Sequence, residues 1–195
     1  MEVLSAGVRV LGLELSAEQE RRFLRYWDGL VEWNQRMNLT SGTALEEIER
    51  VHFLDSLSLV PLLRREGHET ARVIDVGAGA GFPGVPVKLL MPATRLTLVE
   101  ATRKKADFLR WLVVELELDE VEVVVARAEE LAHQPGYREA FDVAVARALG
   151  GLSTAMELTL PFCALGGLVV VPQAGDVGPR LAGASQAAEQ LGGRI

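Results

Sequence analysis

From residue 72 onward, short runs dense in apolar and β-branched residues alternate with segments of helical period. The runs are "RVIDVG", "RLTLVE", "VEVVVA", "FDVAVA" and "GGLVVVP", and the helical segments are 84–91, 102–117, 128–134 and 151–163. Strands alternating with helices predict βαβ units, and therefore a mainly parallel, doubly wound sheet with right-handed crossovers. The chain before residue 67 reads differently. In "AEQERRFLRYWDGLVEWNQRMNLT", Phe23, Tyr26, Trp27, Leu30, Val31 and Trp33 recur at helical spacing. Ser16 with Gln19 three residues on has the form of a capping box ahead of this helix. A second helix is predicted through "ALEEIERVHFLDSLSLVPLLR", opened by Ser41 or Thr43 and interrupted near Pro61. The pattern thus divides the chain into a helical N-terminal extension, residues 1–66, and an α/β domain, residues 70–195, joined through "GHETAR".

In an open parallel sheet, ligands lie beyond the carboxyl ends of the strands. After the first run comes "DVGAGAGFPG", with glycines at 77, 79, 81 and 84. Glycines let the backbone turn tightly and approach a ligand with no Cβ in the way. Gly79, Gly81 and Gly84 formally match a dinucleotide fingerprint, but the lysine and Ser/Thr of a phosphate loop are absent. Asp75, two residues before Gly77, favours a cationic ligand such as S-adenosylmethionine, whose ammonium it would pair with directly or through water, over a pyrophosphate. After the second run, Glu100 is placed to accept both ribose hydroxyls of a nucleoside; a plain helix-start glutamate is the bland reading. After the third, Ala128 and Glu129 fall where an adenine would lie. After the fourth, Arg147 stands at the functional edge of the sheet, either as a ligand contact or as half of a structural ion pair.

Composition narrows the class. The chain has 195 residues, of which 49% are hydrophobic, enough for one core with a small appendage. No apolar run approaches the length of a membrane span, and the first twenty residues carry no signal-peptide pattern. Cys163 is the only cysteine, which excludes an internal disulfide and a cysteine metal cluster and fits a cytoplasmic protein. The net charge of −7 speaks against broad nucleic-acid binding. A local patch can survive that average: Arg103, Lys104, Lys105 and Arg110 follow Glu100 on one predicted helix. A solvated helix face is the ordinary alternative for such a run. His52 and Asp55 are expected to dock the extension beside the cleft. The stripe of Tyr26, Trp27 and Trp33 is expected in the core rather than stacked on bases. Asn34 and Asn38 are expected to hold the turn after their helix.

Several segments in one order carry a closer likeness. "WNQRMNLT", "HFLDSL", "DVGAGAGFPGVPVK", "LVEATRKKADFL", "ARAEELA" and "FDVAVARA" together resemble the bacterial 16S ribosomal RNA guanine-N7 methyltransferases, the glucose-inhibited division protein B family, over about residues 10–170. The resemblance implies a class I S-adenosylmethionine-dependent methyltransferase fold, Rossmann-like, with a helical N-terminal extension. It implies S-adenosylmethionine as cofactor and a guanine of 16S ribosomal RNA, or the small subunit, as substrate of a monomeric enzyme without metal or membrane. Carried over by motif, the cofactor shell is Gly77, Gly79, Phe82, Glu100, Ala101, Thr102, Ala128, Glu129 and Arg147, beside Asp75. Guanine N7 carries an in-plane lone pair and needs no deprotonation, so positioning is the expected means of catalysis. Arg147 is the residue expected to act catalytically, by contacting the target base or an RNA phosphate.

Two departures qualify the likeness. In "VVVPQAG", Gln173 or Ala174 stands where a lysine is expected, and no segment after residue 172 supplies the two further strands that usually close this fold. The alternatives are a methyltransferase of the same fold acting on a small molecule or protein, an NAD-dependent oxidoreductase, and a non-catalytic cofactor-binding remnant.

Overall fold

The computed structural model describes residues 1–195. Five parallel strands form one sheet in the order β3-β2-β1-β4-β5: β1 Arg72–Val76, β2 Arg95–Glu100, β3 Val121–Val125, β4 Phe141–Val145 and β5 Cys163–Val170. All five predicted runs are strands. β5 begins earlier than "GGLVVVP" suggests, because the helix expected to reach residue 163 stops at Thr159 and gives way to a single tight turn, Leu160–Phe162. The order of strands reverses between β1 and β4, the position that opens a crevice above the sheet. Residues after Val170 add one helix, Gly178–Gln190, and no strand, so β5 forms an edge.

The helices of the second half are Gly84–Leu90, Arg103–Glu115, Ala128–Leu131 and Leu152–Thr159. In the first half, Ala17–Asn34 is a single helix closed at its start by the expected capping box. Ser16 Oγ accepts from the Gln19 backbone N–H, and Gln19 Oε1 accepts from the Ser16 N–H. Glu2–Val10 is a further helix that the pattern reading did not single out; it buries Leu4 and Val8. The second predicted helix is a broken one: Leu45–Glu47, a π-helical segment Ile48–Leu54, Asp55–Leu57, and Leu59–Arg65. Neither Ser41 nor Thr43 caps it. Ala44 holds the cap position without a side-chain bond, while Glu46 and Glu47 complement the dipole in the first turn. The break falls at Ser58, so that Pro61 lies within the first turn of Leu59–Arg65, where its missing N–H has no partner to lose.

One hydrophobic cluster runs through both halves. Leu4, Phe23, Tyr26, Leu30, Phe53 and Leu63 of the extension pack in the same cluster as Val73, Phe82, Val85, Leu98, Phe108 and Val145. The extension is therefore seated on the face of the sheet that carries β1's Val73, with no solvent layer between. Tyr26 is fully buried, Trp27 and Trp33 are partly buried against this core, and Trp33 meets Phe108 edge-on. The aromatic stripe is core, as its spacing suggested.

Candidate functional site

Four strand ends and the extension meet at one cavity of about 510 Å³. Gly77–Ala80 and Phe82 line it after β1, Glu100 and Ala101 after β2, Ala126–Glu129 after β3, and Arg147–Leu149 after β4; Leu39, Thr40, Ser41 and His52 come from the extension. The glycine turn is forced by its surroundings. Gly77 has φ +73°, and a Cβ there would stand 2.5 Å from Leu149 Cδ2. Gly84 opens the next helix so close to β1 that a Cβ would lie 2.8 Å from Asp75 Oδ2 and 3.1 Å from Leu98 Cδ2.

Asp75, expected to pair with an ammonium directly or through water, does not line the cavity, which rules against the direct contact. Side chains alternate along a strand. Val76, the last residue of β1, faces the cavity, and Asp75 turns to the face covered by the helix Gly84–Leu90. It is completely buried there, with Oδ2 accepting the Gly84 N–H at 2.8 Å and Oδ1 without any partner. Burial pushes its carboxyl up to about 7, against the lowering pull of the Gly84 N–H and Arg147.

Glu100 is where the spacing placed it. Only 7% exposed, it lines the cavity with each carboxylate oxygen held by one backbone N–H: Oε2 by Gly79 at 3.0 Å and Oε1 by Thr102 at 2.7 Å. Those two bonds fix the carboxylate and leave each oxygen further accepting capacity. Thr102 contributes only this backbone bond and does not reach the cavity. Ala101, Ala128 and Glu129 do line it, and Arg127 donates to the Glu129 carboxylate.

Arg147 joins the two halves of the chain. Its Nη1 donates to Asp55 Oδ2 at 3.0 Å and to the Val51 carbonyl at 3.2 Å, and its Nη2 meets His52 Nδ1 at 2.8 Å. Its Cζ lies 4.9 Å from the centre of the Phe82 ring. Phe82 is sandwiched between His52, at 4.8 Å and 11°, and Tyr26, at 5.3 Å and 18°. Tyr26 also donates its hydroxyl to the Ala80 carbonyl inside the glycine turn. The ion-pair reading of Arg147 is what the structure shows, and the residue also lines the cavity. Burial and the nearby Arg147 lower His52 to about 4, with Asp55 pulling the other way, so the imidazole is neutral at ordinary pH. Asn34 holds the turn that carries Leu39–Ser41 to the cavity, its Oδ1 accepting the N–H groups of Leu39 and Thr40 at 2.7 and 3.0 Å; Asn38 makes no such bond.

The basic residues divide. Lys105 lines the cavity, and Arg103 and Lys104 are exposed at the start of the same helix. These three form no ion pair, whereas Arg110 is paired with Asp107 at 3.0 Å, away from the cavity wall. Gln173 and Ala174 lie off the cavity, in a loop tied by Arg180, which donates to Gln173 Oε1 and the Ala174 carbonyl.

The family model described as rRNA small subunit methyltransferase G, GidB, matches residues 19–180. The chain belongs to this family. Among its relatives, the ribosomal RNA small subunit methyltransferase G of Dehalococcoides mccartyi strain BAV1 is 44% identical over the whole chain and 82% of its own length. That of Roseiflexus sp. strain RS-1 is 43% identical over the same shares. The fold of this chain is also that of the crystal structure of precorrin-6y C5,15-methyltransferase from Geobacter metallireducens GS-15. The TM-score is 0.53 at 20% identity, covering 80% of this chain and 75% of that one.

His52 and Asp55 dock the extension beside the cleft as expected; what the sequence did not show is that Arg147 is the group they meet, together with the Val51 carbonyl. They stand 92 to 96 residues from Arg147 in the chain, and only the folded extension brings them to it. The signal was there in part: polar residues three apart in "HFLDSL", on one face of the helical stretch.

Proposed function

We propose that this chain transfers the methyl group of S-adenosylmethionine to N7 of a guanine in 16S ribosomal RNA, acting as a cytoplasmic monomer on the RNA or the small subunit. The observation that carries the cofactor assignment is the buried Glu100 carboxylate, pinned at the cavity by Gly79 and Thr102 with accepting capacity left for a ribose diol. The open space above Gly77 and Gly79 and the small side chains of Ala101 and Ala128 fit the remainder of a nucleoside amino acid. Family membership supports the RNA. No helix is long and apolar enough to cross a membrane.

The sulfonium supplies an already activated methyl group when the cofactor is bound. The chain's own residues then have to bind, orient and exclude water. Glu100 would hold the ribose, and Ala128 would leave room for the adenine beside Glu129. Asp75, behind the turn, accepts the Gly84 N–H and so holds the start of the helix that follows. N7 needs no base to deprotonate it, so holding the target ring in line with the donated methyl accounts for the catalysis asked of the site. Arg147, His52, Thr40 and Ser41 stand on the wall left for that ring. Arg103, Lys104 and Lys105, free of acidic partners, present the charge for RNA phosphates at the mouth.

Titration calorimetry with S-adenosylhomocysteine and with NAD, followed by methyl transfer to small-subunit RNA and mapping of N7-specific cleavage, tests the reading. Binding of NAD in place of S-adenosylhomocysteine, or label on any atom other than a guanine N7, refutes it.

A further inference from the structure

Methylating N7 of a chosen purine requires the site to tell guanine from adenine, because both bases present N7 as an acceptor in the same place. They differ at the neighbouring position: guanine has the acceptor O6, adenine the donor N6 amine. Resting on the guanine-N7 reading above, we propose that His52 and Arg147 form a donor pair that reads O6 of the target base and thereby selects guanine.

Guanidinium groups donate and never accept. Arg147 has five N–H groups, of which three are engaged: two on Val51 and Asp55, and one on His52 Nδ1. An Nδ1 that receives a bond from arginine must carry its lone pair, so the ring proton of a neutral His52 sits on Nε2. That Nε2–H has no partner in the protein, nor have the Nε–H and the second Nη2–H of Arg147. Turning the ring over about Cβ–Cγ would keep its stack on Phe82 at 11° but set a C–H in place of Nδ1 against Arg147, so the Arg147 bond holds the observed orientation. Both side chains line the cavity that holds the glycine turn and Glu100. This part of the wall therefore offers fixed donors, which match O6 and oppose an N6 amine.

The charges are arranged to suit the product. Methylation at N7 leaves the guanine ring cationic, and a bare arginine against it would raise the barrier. Here the Arg147 charge is offset by Asp55 at 3.0 Å, and the second donor is neutral imidazole rather than imidazolium. The pair supplies hydrogen-bond donors with little net positive charge. His52 and Asp55 thus do more than dock the extension: Asp55 is a positioning residue acting through Arg147, and His52 contacts the base.

The test uses the intact protein and small-subunit ribosomal RNA assembled by ligation with guanine, inosine or 2-aminopurine at the methylated position. Inosine keeps N7 and O6, whereas 2-aminopurine keeps N7 and lacks O6. The wild-type protein is expected to methylate inosine RNA within a few-fold of guanine RNA, and 2-aminopurine RNA with kcat/KM lower by about 10- to 100-fold. His52→Asn keeps an acceptor for Arg147 but no donor at the Nε2 position. With it, guanine RNA should fall toward the 2-aminopurine rate and the ratio should collapse, whereas an intrinsic difference in N7 reactivity would leave the ratio intact. His52→Gln returns an amide donor and should recover part of the ratio, which makes the test independent of the stability of either variant. Equal rates on guanine and 2-aminopurine RNA for the wild type, or an unchanged ratio in both variants, overturns the inference. A wild-type protein inactive on guanine RNA overturns the guanine reading itself, and this inference with it.

Discussion

Replacing Asp75 with asparagine should stabilise the protein at pH 8 and abolish a pH dependence that the wild type carries. Burial pushes the carboxyl up to about 7 in the folded protein, from 3.8 for a free aspartate, since burial opposes its charge and only one oxygen is satisfied. A carboxyl raised in the folded state makes folding favour the protonated form. Below the unfolded value both states hold the proton and the residue is neutral in stability. Between 3.8 and about 7 the unfolded chain releases its proton first, so stability falls as pH rises. Above that window the full penalty stands. At 1.36 kcal/mol per tenfold change in proton affinity it is on the order of 1 kcal/mol at pH 4.5 and 4 kcal/mol at pH 8. Asparagine keeps the acceptor for Gly84, and its amide takes the place of an oxygen that is equally unpaired, so that liability is common to both proteins.

The assay is urea denaturation at pH 4.5 and 8, followed by fluorescence of Trp27, Trp33 and Trp111, with both proteins measured at both values. The difference between proteins cancels the other titrating groups, including Asp142, which Arg72 holds low. About 3 kcal/mol of the wild-type change between the two pH values should vanish in Asp75→Asn. Equal pH dependence in the two proteins, or an asparagine variant less stable at pH 8, would refute the assignment of the carboxyl as a buried, largely uncompensated acid. A more stable variant with weaker S-adenosylhomocysteine binding would show stability being sacrificed for the site.

Three further outcomes follow from the same geometry. Gly84→Ala drives a Cβ to 2.8 Å from the Asp75 carboxylate and 3.1 Å from Leu98, and should cost about 1–3 kcal/mol in thermal or urea denaturation. Tyr26→Phe removes the only side-chain donor to the Ala80 carbonyl, lowering stability by about 1–3 kcal/mol; calorimetry should show weaker S-adenosylhomocysteine binding as the glycine turn loosens. Replacing Arg103, Lys104 and Lys105 together with alanine should flatten the salt dependence of RNA binding by about 2 in log–log slope, while Arg110→Ala, removing a cation already paired with Asp107, should change it far less.

What the sequence made legible follows from which forces are local. The β-branched runs, the Ser16–Gln19 box and the aromatic spacing are decided within a turn or two of chain, and the structure has them. Glu100, Ala128 and Arg147 were found because a parallel sheet sends all its strand ends to one side, so position in the run is enough. Asp75 was misplaced because it lies one residue inside β1, where alternation turns its side chain under the helix at Gly84 rather than out to the cavity. The pattern contained that parity: Val73 and Asp75 share one face, Ile74 and Val76 the other. The π-helical turn at Ile48–Leu54 and the contacts of Arg147 were not legible, since they depend on how two separate stretches of chain pack.

That packing explains why a helical extension belongs to this site at all. A sheet with its glycine turn and Glu100 already provides what a nucleoside cofactor needs, and Tyr26 and His52 then clamp Phe82 between them, tying the turn to two different helices of the extension. The extension also closes the cavity with Leu39–Ser41 on a turn fixed by Asn34. On the proposed reading, the cofactor-facing groups come from the sheet, and the donors for the methyl acceptor from the seam between sheet and extension. Because Arg147 bonds His52, Asp55 and Val51 at once, any shift of the extension moves those donors together. On the proposed reading, a shift of the extension against the sheet would therefore displace the donors that meet the target base, with the Arg147 seam as the element that couples the two.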